Sequence, residues 1–299
     1  STLYGTPPNL ILKSNVEQFF SFTIDFDYWF IMALPLSVLL LFICWFYLVN
    51  FSFNLSSISK INGDQIKNKL KELGQMKYEE VIVLIIFSCF VLSLLLKSKI
   101  ELIFTSIDDT IIAIFYALLL FIFNSKNENK KIVDWKDSYK LPWGIILLFG
   151  GGLSLAAAMQ GSGLTLWIGE KLYGLSNVSL ILIILSIVFA VNFLTEITSN
   201  LATVSMILPI LATLSISLGI HPFVIMVSAT ISASCAFMLP VATPPNAVVF
   251  GSGYLRIKDM VKTGIIMNLI SILLVSLYVY FIAPLIWNID LNVFPTNFN

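Results

Sequence analysis

Two polar interruptions in otherwise apolar sequence carry residue types that can hold ions. Residues 195–200 read TEITSN and residues 242–246 read ATPPN, and between Leu172 and Leu255 there is no Lys or Arg. Hydroxyls, amides and prolines deep in apolar segments are costly to bury without a role. Two prolines break a helix, because each removes a backbone donor and clashes with the preceding turn. The half-helix before such a break exposes carbonyl oxygens, which suit Na⁺. The half-helix after it exposes N–H groups, which suit an anionic oxygen. Ser199 can donate a hydroxyl hydrogen to an anion. Asn200 can offer its amide oxygen to Na⁺ and its NH₂ to a carboxylate, so one residue can couple the two ligands. Residues of these types also serve as helix caps and packing hydroxyls, and type alone leaves both readings open. Glu196 is equally open, as a proton or cation site or as a carboxylate facing water or a helix N-terminus. His221, beside Pro222, is expected near an interface rather than as a ligand.

The elements that must position these residues are transmembrane helices. The chain has 299 residues, 58% apolar and 11% charged, with a mean hydropathy of +0.93. A soluble domain carries about 25% charge. Apolar runs cover residues 29–53, 80–96, 110–123, 141–160, 178–194, 201–218, 221–241, 247–255 and 264–286. The class is an all-α, multi-pass integral membrane protein. Gly150, Gly151 and Gly152 have no phosphate-loop context and suit close helix packing. Residues 161–173 read as a short amphipathic segment, and Tyr28, Trp29, Trp143 and Trp287 as interface anchors. Cys44, Cys89 and Cys235 lie in apolar runs without metal-ligand spacing. Loops 54–79, 124–140 and 255–262 are basic; loops 97–108 and 161–176 and the tail are poor in Lys and Arg. The positive-inside rule then places the 54–79 loop in the cytoplasm and the C-terminus outside, provided 178–218 crosses an even number of times. Two short spans and a re-entrant hairpin both meet that condition. An ordinary cytoplasmic loop should be basic, whereas the one charge in TEITSN is Glu196, which favours a buried hairpin tip.

The segment GTPPNLILKSN at 5–15 resembles ATPPNAVVFGSG at 242–253. With the topology above, the two copies run in opposite directions through the bilayer. That is the mark of an inverted repeat, which in transporters places the site at the repeat interface near the midplane. The chain opens on Ser1 with no signal peptide, and is expected to lack its N-terminal part, including a hairpin equivalent to 178–218.

The segments TEITSNLATVSMILPIL, CAFMLPVATPPNAVVFGSG and IKDMVKTGIIMNLI are similar to those of the divalent anion:sodium symporter family, the sodium–dicarboxylate and sodium–citrate transporters. LPWGIILLFGGGLSLAAAMQGSGL and GTPPNLIL resemble further parts of it, with the likeness densest over 141–268. The resemblance implies sodium-coupled transport of di- or tricarboxylates by an elevator movement in a homodimer. It implies a small dianion, sodium ions and the lipid bilayer as partners, with no nucleic acid, no catalytic residue, Na⁺ as the coupled ion, and a plasma or inner membrane location. The family's Ser-Asn-Thr tip falls on Ser199, Asn200 and Leu201, where Leu201 departs from the pattern and cannot donate a hydroxyl. Thr243 and Pro244 would line the substrate pocket, with Gly5 and Thr6 contributing. A second sodium site would fall on Thr195, Thr198, Asn200 and Ala242, and Gly5 would belong to a first. The implied parts are the end of a first-repeat broken helix at 1–28 and scaffold helices with cytoplasmic loops at 29–140. A connecting arm at 141–177, the second hairpin and broken helix at 178–255, and a last helix with an outer tail at 256–299 complete them.

Rival readings are sulfate transport or Na⁺-independent anion exchange, a non-transporting truncated fragment, and a membrane receptor or scaffold. An intramembrane hydrolase is disfavoured because no His or Asp partners a candidate Ser.

Overall fold

A computed structural model describes residues 2–53, 74–101, 107–126, 131–141, 143–164 and 178–295, together with residues 67, 68, 71, 72, 167 and 174. Regular structure among these residues is helical, with one isolated bridge between Asn124 and Lys131. The chain forms two compact units, Ser1–Phe53 with Trp143–Asn299, and Asn54–Pro142.

The first unit contains α1 (Pro7–Phe20), α2 (Phe26–Tyr47) and a π-turn that continues α2 over Leu48–Ser52. In the smaller unit α3 (Tyr78–Leu95) packs on α4 (Asp109–Ile122). The first unit resumes with α5 (Trp143–Gly161), α6 (Leu180–Ile197) and α7 (Asn200–Leu218). Then come α8 (Pro222–Ala233), α9 (Pro244–Gly251), α10 (Ile257–Phe281) and the short α11 (Ala283–Trp287). Among the described residues, five helical stretches are long and apolar enough to cross a membrane: Phe26–Ser52, Tyr78–Leu95, Leu180–Ile197, Asn200–Leu218 and Ile257–Trp287. The molecule is an all-α integral membrane protein. Much of the 161–173 segment lies outside the described residues.

Prolines mark where helices begin. Pro7, Pro222 and Pro244 each open a helix, where the missing N–H costs nothing and the fixed φ is already helical. Gly219, at φ +67°, closes α7, and the N–H of Ile220 returns to Ser215 O at 3.1 Å. That left-handed cap is one a side chain with Cβ adopts poorly.

The core of the first unit is α8. Every residue of it except Ile231 is buried, as befits a helix apolar on all sides. It packs against α6, α7, α10 and α1, while α7 also packs on α1 and α5. Gly152 of α5 meets Ser205 of α7, where an added Cβ would stand 2.8 Å from the serine Cβ. Helix α2 with its π-turn is pinned along its length to α10 and α11. Tyr278 donates to Met32 O at 2.7 Å, Ser52 and Thr263 share a hydroxyl contact at 2.7 Å, and Trp287 Nε1 donates to Tyr28 O at 3.0 Å.

Within the smaller unit, Glu79 accepts from Ser125 Oγ at 2.7 Å and from Lys126 N at 2.8 Å. At the other end Lys97 lies 3.4 Å from Asp109. Residues 79 and 125 meet at one end and 97 and 109 at the other, so α3 and α4 are antiparallel.

Candidate functional site

The tip between α6 and α7 is shorter than its polar sequence suggests. Helix α6 runs through Thr195 and Glu196, and α7 begins at Asn200, which leaves only Thr198 and Ser199 extended. Local hydroxyls close the turn. Thr198 Oγ1 donates to Leu194 O at 2.9 Å and contacts Thr203 Oγ1 at 2.5 Å, and Thr203 Oγ1 donates to Ser199 O at 3.1 Å.

Behind the tip, oxygens converge. Thr195 Oγ1 stands 2.6 Å from Asn200 Oδ1 and 3.1 Å from Ala233 O, the last carbonyl of α8. One hydroxyl hydrogen serves both contacts, since a threonine donates once. Three oxygens with a single hydrogen among them make a donor set suited to a hard cation. Ala233 was not singled out by the sequence; its carbonyl is open to Thr195 because α8 stops there.

The break after α8 is ten residues long, from Ser234 to Thr243. Side chains from neighbouring helices bind its backbone at five successive residues, 235–239. Asn192 Nδ2 donates to Cys235 O at 2.7 Å. Glu196 accepts the N–H groups of Phe237, Met238 and Leu239 at 2.8, 2.9 and 3.0 Å, and Asn268 Nδ2 at 2.7 Å. Asn246 Nδ2 donates to Ala236 O at 3.0 Å and Leu239 O at 3.1 Å. Buried backbone polar groups need partners wherever water is excluded, and these side chains supply them. Helix α10 approaches from the other side, where a Cβ on Gly264 would lie 2.2 Å from Phe237 O and 2.5 Å from Met238 Cα.

The two Thr-Pro-Pro-Asn copies share one local structure. Thr6 caps α1 with φ −143°, ψ 142°, and Thr243 caps α9 with φ −144°, ψ 151°. Each asparagine amide reaches back seven residues, Asn9 Nδ2 to Thr2 O at 3.0 Å and Asn246 Nδ2 to Leu239 O at 3.1 Å. They differ at the threonine. Thr243 Oγ1 accepts from Asn246 N at 3.3 Å, whereas Thr6 Oγ1 is buried without a partner among the described residues. Thr6 lines a cavity of about 310 Å³ with Asn9, Trp29, Ser234, Cys235 and Phe237. Trp29 Nε1 and Ser234 Oγ are likewise buried and unpartnered. The first copy and the break before the second therefore face one polar-edged cavity.

The structure brings Thr195 and Asn200 together with Ala233 O. It turns Thr198 toward Thr203 instead. Ser199 is exposed at the tip, and Leu201, 6% exposed, points into the protein. Ala242 is buried and donates its N–H to Leu239 O at 3.2 Å. Thr243 is half-buried, its Oγ1 accepting from Asn246 N, and Pro244 is exposed. Gly5 is exposed, with its N–H on Thr2 O at 3.1 Å. The residues the sequence left aside are Glu196, Asn192, Asn246 and Asn268. The signal for Asn192 and Asn268 was a lone amide in a long apolar run, a placement that is functional or structural by default. His221 is buried in the turn before α8. Its Nδ1 accepts from Phe223 N at 3.2 Å, and its ring meets that of Phe223 edge-on.

The family model of the sodium:sulfate symporter transmembrane region matches residues 1–288. The sodium-dependent dicarboxylate transporter SdcS of Staphylococcus aureus strain USA300 is 48% identical over 301 residues, covering 97% of this chain and 57% of the transporter. The strain MRSA252 protein of the same name gives the same figures, and that of the bovine strain RF122 / ET3-1 is 47% identical with the same coverage. The chain thus spans 57% of the length of these curated relatives.

Proposed function

Since the chain belongs to the divalent anion:sodium symporter family, represented by the sodium:sulfate symporter transmembrane region, we propose that it carries the second half of the site of a sodium-coupled di- or tricarboxylate transporter. The observation that carries this reading is the convergence of Thr195 Oγ1, Asn200 Oδ1 and Ala233 O behind a helix break that no basic side chain approaches in sequence. With no Arg or Lys between Leu172 and Leu255 to neutralise a dianion, bound Na⁺ supplies the positive charge. Cation binding then precedes or accompanies the anion. Thr195, Asn200 and Ala233 O hold one Na⁺, with Thr198 and Ala242 closing around it. The hydroxyls of Ser199 and Thr243 donate to one carboxylate, with Pro244 lining the pocket. Leu201 packs behind the tip and contributes shape rather than a hydrogen bond. Gly5 and Thr6 contribute to the first sodium site and to the substrate pocket. The Thr-Pro-Pro-Asn copies, alike in backbone, support an inverted repeat, and the side chains that bind the break to α6 and α10 support movement of hairpin and break as one body in an elevator within a homodimer. If more Na⁺ charge than anion charge moves, the step senses voltage at about 2.3 kcal/mol per net charge per 100 mV.

The test is uptake of labelled succinate by the full-length protein in proteoliposomes. Replacement of Na⁺ by choline abolishes uptake on this reading, and undiminished uptake overturns it. The family model's own description, a sodium:sulfate symporter region, keeps sulfate as a second reading. Competition by excess sulfate but not by excess succinate would favour that anion.

A further inference from the structure

Glu196 is a buried carboxylate to which the transport chemistry gives no part. It is 2% exposed, and its partners among the described residues are N–H groups rather than basic side chains. Oε1 accepts from Phe237 N, Met238 N and Asn268 Nδ2, and Oε2 accepts from Leu239 N. Three successive backbone N–H groups aimed at one anion form a nest. Here the anion belongs to the chain itself, 41 to 43 residues away in sequence. These donors stand in for water around the carboxylate. Without it they would be left buried and unsatisfied, which is the costly half of a hydrogen bond. Two further contacts extend the tie. Thr195, the neighbour of Glu196, holds Ala233 O, and Leu239, which donates the last N–H of the nest, gives its carbonyl to Asn246.

We propose that Glu196 is a positioning residue whose carboxylate ties the end of α6 to the backbone at 237–239, and so fixes Thr195 and Asn200 relative to Ala233 O and to residues 242–244. It does this without touching the ion. The proposal rests on the cation reading of the preceding section.

The test uses the full-length protein with two readouts, amide hydrogen exchange over 237–239 and the Na⁺ half-saturation of succinate uptake and of thermal stabilisation. Glu196→Gln keeps the shape, offers one acceptor oxygen, and sets an NH₂ against a backbone N–H. Faster exchange at 237–239 and a rise of about tenfold in Na⁺ half-saturation are expected. Asn268→Ser leaves the three backbone bonds to Glu196 but removes Asn268 Oδ1, a second acceptor of Phe237 N–H at 3.2 Å, and a smaller rise of the same sign is expected. Folded Glu196→Gln with wild-type exchange or wild-type Na⁺ half-saturation overturns the proposal. So does a lower melting temperature in choline with an unchanged Na⁺ dependence, the pattern of a role in packing alone. Should Glu196→Gln fail to fold, Asn268→Ser decides, and an unchanged Na⁺ half-saturation in that variant overturns the proposal. A wild-type protein indifferent to Na⁺ refutes the preceding section instead, while the exchange readout still tests the tie.

Discussion

Thr195 holds two acceptors with one hydrogen, and its removal is expected to be felt by the ion more than by the fold. Thr195→Val keeps the volume and leaves Asn200 Oδ1 and Ala233 O facing a methyl group. A hydrogen bond or ligand lost at such a site is worth about 1–3 kcal/mol, or roughly 5- to 150-fold in affinity. The Na⁺ half-saturation of uptake should rise by that factor, and Thr195→Ser should restore it. His221 makes a different prediction. Burial pushes its imidazole down from the ordinary 6.5 to about 4. A folded value below the unfolded one means that stability is intact above about pH 6.5. It is lost as pH falls toward about 4, because the unfolded chain takes up the proton first. The melting temperature of the purified protein should therefore fall across that window. His221→Asn keeps an oxygen acceptor at the helix cap and should flatten the decline.

Among the elements, α10 meets the break at Gly264, where there is no room for one more carbon. Gly264→Ala must displace the backbone at 237–238, and Na⁺-driven uptake should collapse even if the protein still assembles. Gly150→Ala is the control. An added Cβ there meets nothing within 4 Å among the described residues, and the change should leave uptake near wild type and slightly favour the helix. The apolar runs foretold most helices because span length and hydropathy are local properties. They erred at the break. The run at 221–241 reads as continuous, yet α8 stops at Ala233, and the prolines at 244 and 245 open the next helix instead of ending this one. Beyond Asn246, the side chains that hold 234–243 open lie 31 to 43 residues away, in Asn268, Glu196 and Asn192, outside a local window. The start of α10 was missed in the opposite sense. Its first turn is polar and capped by Arg256 with Asp259, so hydropathy alone places the helix seven residues late.

At the scale of the whole chain, the first unit is built from two stretches of sequence, Ser1–Phe53 and Trp143–Asn299. The short Thr-Pro-Pro-Asn match was the visible trace of this, and the copies do share backbone angles and a seven-residue amide reach. The sequence could not say that α2 belongs with α10 and α11. The bonds that join them run from Met32 to Tyr278 and from Tyr28 to Trp287, across 246 and 259 residues. Those separations bear on how the molecule is made. When α2 leaves the translocon, the helix that will grip it has not yet been translated. It must wait in lipid, where its outward Ile31, Leu41 and Phe42 are at ease. Its permanent neighbour is translated 246 residues later, so the pair closes long after α2 has met the bilayer.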